Sequence, residues 1–370
     1  MSGIADNAPK LSLCNSAPHR AVLGLLAVAL GRAAYDGLFD DLAASPPEQL
    51  AAIANQGHAQ TILHSAFVKM PALEDVVPLD LRIYFAEMQR ANSERNAQAK
   101  AQLAEISDIL APHGILVVAL KGAADVLDPL HQTPAHRYIS DLDLLVPADQ
   151  ISEAARLLRD AKGLPVTPKN IAPGPHHHLA QIVHPDFMFT IELHIRPGSD
   201  AVSQVLSAKS MIERSKATHI PGVLIPSVED RLLQHVLHGM ELRHDTAALN
   251  LRLLSDHMRY LQMTPDATLK QALSRLNDVG LVAWLQDLTA LSKAMEGIPP
   301  AADNWAGQAL ARFGMPQDAR MGDTVFWVKR YVKRFIQNGD YRKQALRKAL
   351  SPTAWAEFVQ FHRERLGRFK

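Results

Sequence analysis

The sequence predicts an α+β fold: a small α/β centre at residues 115–226, set between helical regions at 1–114 and 227–370. Three observations predict it. Apolar residues make up 47% and charged residues 21% of the 370, enough for a sizeable core and too little charge for global disorder. Two short aliphatic runs, "ILVVALKG" from Ile115 and "DLDLLV" from Asp141, read as buried strands. On either side of the centre the pattern is helical throughout.

Residues 1–18 read as a loose arm. "AVLGLLAVALG", from Ala21 to Gly31, is eleven residues long and flanked by Arg20 and Arg32. A membrane span needs roughly 20 apolar residues, and the preceding stretch does not suit a signal peptide. The run therefore predicts a buried helix and no membrane span. "PPEQLAAIANQGHAQTILHSAFV" opens with prolines suited to a first helical turn. "LRIYFAEMQRANSERNAQAKAQLAEISDILAPHG" predicts one long helix, polar on one face, stopping near Pro112 and Gly114. In the centre, "AADVLDPL" reads as a brief helix between the two strands. "ADQISEAARLLRDAKG" reads as a helix stopped by Gly163. "HHHLAQIVHP" and "FMFTIELHIRP" read as paired strands turning at Pro185 and Asp186. Helical pattern returns beyond Pro226. No Gly/Ser linker separates the three regions, so they are expected to pack as one body.

The formal net charge is +1, but its distribution is uneven: Lys329 to Lys370 holds twelve Lys or Arg against three acids, +9, leaving −8 for the remainder. The stretch "WVKRYVKRFIQNGDYRKQALRKAL" interleaves aromatics with basic residues, which suits either RNA binding or the solvated face of a helix pair. Nucleic acid is the less favoured partner. A single cysteine, Cys14, excludes an internal disulfide and a Cys-based zinc site, and suits a cytoplasmic protein. Neither a P-loop nor the kinase motif set is present.

The chemistry centres on "RYISDLDLLV", Arg137 to Val146. Residues i and i+2 of a strand share a face. Asp141 and Asp143 therefore project together, their Cα atoms roughly 6.5–7 Å apart, while Leu142 and Leu144 point to the core. Two carboxylates so placed repel, and burial adds to the cost. A divalent cation, Mg²⁺ or Mn²⁺, would remove it. In "FTIELHI" the alternation puts Thr190, Glu192, His194 and Arg196 on one side. If this strand lies beside the first, Glu192 joins the aspartates, and three carboxylates can hold two metals about 3.5–4 Å apart for phosphoryl or nucleotidyl transfer. The alternative is a half-exposed edge strand with its acids turned to water.

"LKGAA" (Leu120 to Ala124), "RYISDLDLLV" and "IELH" (Ile191 to His194), in that order, resemble the uncharacterised-nucleotidyltransferase family of the DNA polymerase β-type superfamily. His177 and His178 ahead of "IELH", the segment "LLQHVLHGMELRHDTAALNLRLLSDHMRYL", and "SPTAWAEF" near the end are similar too. The likeness runs from about residue 35 onward. It implies a small mixed sheet, two Mg²⁺ ions held by Asp141 and Asp143 with Glu192 as third acid, and an NTP such as ATP as donor. A nucleoside monophosphate would pass to an unidentified acceptor (small molecule, peptide or protein) with release of pyrophosphate. The superfamily usually carries Gly-Ser or Gly-Gly ahead of the D-x-D; here Gly122-Ala123 stands there, without the hydroxyl. Gly122 is expected to let the backbone approach the triphosphate at a helix N-terminus, with Lys121 supplying charge. That departure leaves a catalytically silent nucleotide- or partner-binding module as the alternative.

The remaining candidates carry either a site role or an ordinary structural one. Arg137 is expected to contact phosphate or brace the aspartates, and Ser140 to contact phosphate. His178 and His194 are expected near the cleft, as is His238, which lies almost opposite the apolar stripe of Leu232, Leu233, Val236 and Leu237. Asp256 forms an i, i+4 pair with Arg252 that would be a weak surface ion pair unless it serves the site.

Overall fold

The computed structural model describes residue 14 and residues 16–161, 177–179, 181–183, 186–242, 250–295 and 305–313. The chain begins with helices α1 (Ala17–Ala29), α2 (Leu38–Ala43), α3 (Pro47–Gln56) and α4 (His64–Lys69), then the 32-residue α5 (Leu79–Leu110). The centre follows as β1 (Val117–Ala119), α6 (Lys121–Leu127), β2 (Asp141–Leu145), α7 (Ile151–Asp160), β3 (Thr190–His194), α8 (Asp200–Ser203), α9 (Ala208–Arg214), β4 (Lys216–Ala217) and β5 (Val223–Ile225). Helices α10 (Val228–Leu242), α11 (Leu251–Met263), α12 (Asp266–Asn277), α13 (Val282–Ala294) and α14 (Trp305–Phe313) come last. The fold is α+β, with a mixed five-stranded sheet ordered β3-β2-β1-β5-β4. Strands β2 and β3 run parallel, as do β1 and β5, while β1–β2 and β4–β5 are antiparallel.

Each helix forms for a local reason. Residues 21–29 of α1 are all buried, as expected of a helix apolar on every side. Gly24 lets it close on its neighbours, since a Cβ there would sit 2.6 Å from Tyr35 Cε1 and 2.7 Å from Leu38 Cδ1. Among the described residues no helix is long and apolar enough to cross a membrane. Helix α5 buries polar residues for a purpose. Asn92 Nδ2 donates to the carbonyls of Ala135 (2.7 Å) and Arg137 (3.0 Å), and Asn96 Nδ2 to those of Pro134 (2.6 Å) and Arg137 (3.0 Å). One turn-spaced row thus fixes the loop leading into β2.

The sheet separates two cores. Leu142, Leu144, Ile191 and Leu193 pack with the C-terminal half of α5 and with α7. Val118, Leu120 and Leu145, on the opposite face, pack with helices α10, α12 and α13. A third core joins α1–α4 and the start of α5 to α11, α13 and α14.

The expected pairing of "HHHLAQIVHP" with "FMFTIELHIRP" forms in part. His178 bridges His194 and Ile182 bridges Ile191, both antiparallel; the Leu179 N–H donates to the Leu193 carbonyl (2.8 Å), and Ile182 and Ile191 exchange backbone hydrogen bonds (2.9 and 3.0 Å). His176 and Pro185 lie outside the described residues. Strand β3 also makes a parallel ladder with β2. Burial of Leu142, Leu144, Ile191 and Leu193 on a common face selects that partner.

Gln102 of α5 anchors the approach to β3. Its Nε2 donates to the Phe189 carbonyl (2.7 Å) and its Oε1 accepts from the Phe189 N–H (3.1 Å). Gln102→Leu leaves both buried backbone groups without a partner, at about 1–3 kcal/mol each. We expect a loss of roughly 2–5 kcal/mol in urea unfolding; an unchanged midpoint would refute the anchor.

Several histidines are packed as neutral rings. Burial lowers His136 and His235 to about 4 and His257 well below the ordinary value. Ser65 Oγ lies 2.8 Å from His136 Nε2, and His235 stacks 5.6 Å from His257. In the unfolded chain such rings take up protons near pH 6.5, so their neutral packing is fully favourable above that pH and is lost as pH falls toward about 4. Each proton contributes a slope of about 1.4 kcal/mol per pH unit. His136→Gln should flatten the fall in stability by up to that slope between about pH 6.5 and 4 in denaturant titrations; identical slopes would count against it.

Candidate active site

Asp143 stands at the middle of β2, directly opposite Glu192 of β3 in the parallel ladder. Asp141 opposes Thr190, and Leu145 opposes His194. The alternation of each strand sends Asp141, Asp143, Glu192 and His194 to the face away from the α5/α7 core.

Asp143 is buried at 3% exposure and carries two partners. Lys121 Nζ lies 3.0 Å from its Oδ1, and His194 Nε2 lies 2.7 Å from the same oxygen. His194 is fully buried and also lies 3.7 Å from Glu192 Oε2. Its Nδ1 has no hydrogen-bond partner among the described residues. Burial opposes ionisation of Asp143, yet Lys121 and His194 hold its carboxyl far below the usual carboxylate range. The same contacts work in reverse. Burial disfavours the Lys121 and His194 cations, but Asp143 and its neighbouring acids outweigh it and raise both pKa values. Contact with His194 likewise lowers Glu192, which also accepts from Gln181 Nε2 at 2.7 Å. Asp141 behaves oppositely. Burial raises its pKa and the charge of Asp143 adds to the rise; its hydrogen bond from Ser140 Oγ at 2.9 Å opposes the shift.

Ligand atoms of Asp143, Glu192 and His194 all lie within 4.8 Å of one another. Two carboxylates and an imidazole at that separation form a donor set that fits a divalent cation. The grouping differs from the expected Asp141, Asp143 and Glu192: a histidine takes part and Asp141 stands outside it.

A cleft of about 870 Å³, counting its open mouth, runs beside the aspartates. Lys121, Asp141, Asp143, His235, His238 and Arg252 are among the residues that line it. His238 is half-buried there, on the cleft side of α10. The floor is an ion network. Arg137 Nε lies 2.7 Å from Asp125 Oδ2 and 2.9 Å from Asp256 Oδ2, and His131 Nε2 lies 2.9 Å from Asp256 Oδ1. Arg231 reaches Asp125 Oδ1 and Asp128 Oδ2, both at 2.6 Å.

Several expectations need correction. Arg137 does not brace Asp141 or Asp143; its guanidinium is committed to Asp125 and Asp256, which hold it charged against the cost of burial. Asp256 is not a surface partner of Arg252 but a buried carboxylate, kept ionised by Arg137 and His131. The glycine of "LKGAA" is required by protein packing: a Cβ on Gly122 would lie 2.5 Å from Ile139 Cγ2 and 2.7 Å from Arg137 Nη1. The Ala123 N–H donates to the Leu120 carbonyl (3.0 Å), and the Lys121 N–H faces Gln234 Oε1 at 3.4 Å. That helix start is therefore largely satisfied from within. His178 and His177 stand beside His194, their ring centroids 5.3 and 5.5 Å from it. Sequence reasoning missed Asp125, Arg231 and His131, whose partners are remote in the chain. The basic stretch from Lys329 lies outside the described residues.

No curated protein and no solved structure matches the chain. A family model described as uncharacterised nucleotidyltransferase matches residues 44–297, which span α3 to α13 and include every residue of the site. The chain belongs to the uncharacterised-nucleotidyltransferase family, whose members are transferases of phosphorus-containing groups.

Proposed function

We propose that the protein moves a nucleoside monophosphate from an NTP to an acceptor hydroxyl, using a divalent cation, Mg²⁺ or Mn²⁺, at Asp143, Glu192 and His194, with Asp141 beside them. The observation that carries this reading is the register pair Asp143–Glu192, set beside a cleft rich in cationic side chains, in a chain of this family. When bound, the cation supplies charge stabilisation on the phosphoryl oxygens.

The chain's own residues do the rest. Glu192, held ionised by His194, accepts the proton of the acceptor hydroxyl. The acceptor oxygen forms a bond to the α-phosphorus as the bond from that phosphorus to the bridging oxygen breaks. Pyrophosphate leaves with the bond pair, and Glu192 later returns its proton to water. Lys121 and Ser140, at the cleft wall, donate to phosphate oxygens. Gly122 and Ala123 contribute by letting α6 pack closely, so that Lys121 is correctly set. Arg137 and Asp256 act from the floor by fixing α6 against α11. His238 lines the cleft toward the acceptor, and His178 packs beside the buried His194. The carboxylates of the donor set suit Mg²⁺ or Mn²⁺.

The test is pyrophosphate release and labelling of an acceptor from each radiolabelled NTP in the presence of Mg²⁺ or Mn²⁺ with a cell lysate. Asp143→Asn and Glu192→Gln should each lower turnover by roughly 100-fold or more. Nucleotide binding without any pyrophosphate release by the unaltered protein would favour the silent binding module instead.

A further inference from the structure

Among the described residues the cleft is lined by four permanently cationic side chains, and three are matched. Lys121 is paired with Asp143, Arg137 with Asp125 and Asp256, and Arg231 with Asp125 and Asp128. Arg252 is the exception. It has no acidic partner within ion-pair distance among the described residues, and its one side-chain hydrogen bond runs from Nη1 to the Tyr138 carbonyl at 3.2 Å. Asp256, Asp141 and Asp143 attract it only from farther away.

A half-buried guanidinium without a counter-ion is costly, so its position calls for an explanation. That position is also tightly set. The Arg252 N–H donates to the Gly57 carbonyl at 2.9 Å. Leu251 fills the space beside Gly57, where a Cβ would lie 2.5 Å from Leu251 Cγ. Asn250 caps the helix, its Oδ1 accepting from the Leu253 N–H at 3.0 Å. The chain therefore builds a rigid mount for a planar, multi-donor cation and aims it into a cleft without supplying its anion. Asp141 is the complementary case: an acid in the same cleft whose side chain, among the described residues, accepts a hydrogen bond from its neighbour Ser140 alone. A ligand that brings anionic oxygens together with a bound cation would satisfy both.

We infer that Arg252 binds the phosphate chain of the donor nucleotide, as a guanidinium clamp on the oxygens that leave as pyrophosphate. The assignment rests on the nucleotidyl-transfer reading. Arginine suits the task because its fork of N–H groups matches two phosphate oxygens at once, which a lysine cannot do. The clamp supplies at the cleft wall the anion site that the N–H groups of Lys121 and Ala123, already bonded within the fold, do not supply.

The test is calorimetric titration of the full chain with inorganic tripolyphosphate and Mg²⁺, with adenosine as a phosphate-free probe. Arg252→Gln should weaken tripolyphosphate binding by roughly 10- to 100-fold, as expected for loss of charge-assisted hydrogen bonds. Arg252→Lys, which keeps the charge and is the fallback should the glutamine variant not fold, should weaken it by a smaller factor. Both should leave adenosine titrations as they are in the unaltered protein. Arg156→Gln, on the exposed face of α7, should leave tripolyphosphate affinity unchanged. Wild-type affinity in both Arg252 variants, in a protein that still binds NTP and releases pyrophosphate, would overturn the clamp and leave the transferase reading standing. An unaltered protein that binds neither NTP nor tripolyphosphate would overturn both.

Discussion

The buried carboxylate of Asp143 is the constraint around which the site is organised. An ionised carboxylate at 3% exposure is tolerable only if charge and hydrogen bonds reach it. Two do, from different parts of the chain. Lys121 arrives from the junction of β1 and α6, and His194 from the end of β3. Lys121 adopts a left-handed backbone conformation to do so, φ 46°, which is uncommon outside glycine and costs on the order of 1 kcal/mol. The sheet order follows the same logic. Only with β3 beside β2 in parallel register do Glu192 and His194 reach the Asp143 side.

A second charged layer holds the walls of the cleft in place. Asp125 on α6, Arg137 on the loop, Arg231 on α10 and Asp256 on α11 come from separate segments, and each acid meets an arginine at 2.6–2.9 Å. Breaking one side of such a buried pair costs about 3–5 kcal/mol, so the network fixes α10 and α11 against α6 and the loop before β2 far more firmly than surface pairs could. Asn92 and Asn96 grip the same loop from the far side. The helical regions are therefore structural parts of the site rather than appendages to it.

Much of this was legible in the sequence because alternation is local. The period-two pattern at Asp141–Leu145 and Thr190–His194 shows which side chains share a face, and the motif order shows the family. Register was not legible, since nothing local says that a strand some fifty residues later will lie beside β2 as well as bridge to the segment just before it. The ion network escaped for the same reason: Arg137 and Asp256 are 119 residues apart. Asp256 and Arg252 illustrate the hazard of local spacing. An i, i+4 pair on a helix looks like a surface bridge, yet the first turn of α11 packs against Gly57 and turns both residues inward. Lys121 was placed correctly at a strand end, but its pairing depends on a positive φ that its residue type does not announce.

The two aspartates of the D-x-D are therefore not equivalent, although they sit two residues apart on one strand. Asp143 is stabilised as an anion by Lys121 and His194, while Asp141, without a cationic partner in hydrogen-bond contact, is pushed toward its neutral form by burial and by Asp143 itself. Divergent environments for paired carboxylates are how one fold assigns them different tasks. In the proposed reaction Asp143 is the permanent anion that fixes local geometry, and Glu192, lowered by His194, is the ionised base. Asp141 is the carboxylate whose ionisation burial and Asp143 oppose, and a bound cation would favour its charged form. Among the described residues of the site, Asp141 has no cationic partner and Arg252 has no acidic one within ion-pair distance. A cation-bound polyphosphate brings to those two residues the opposite charges that the chain itself withholds.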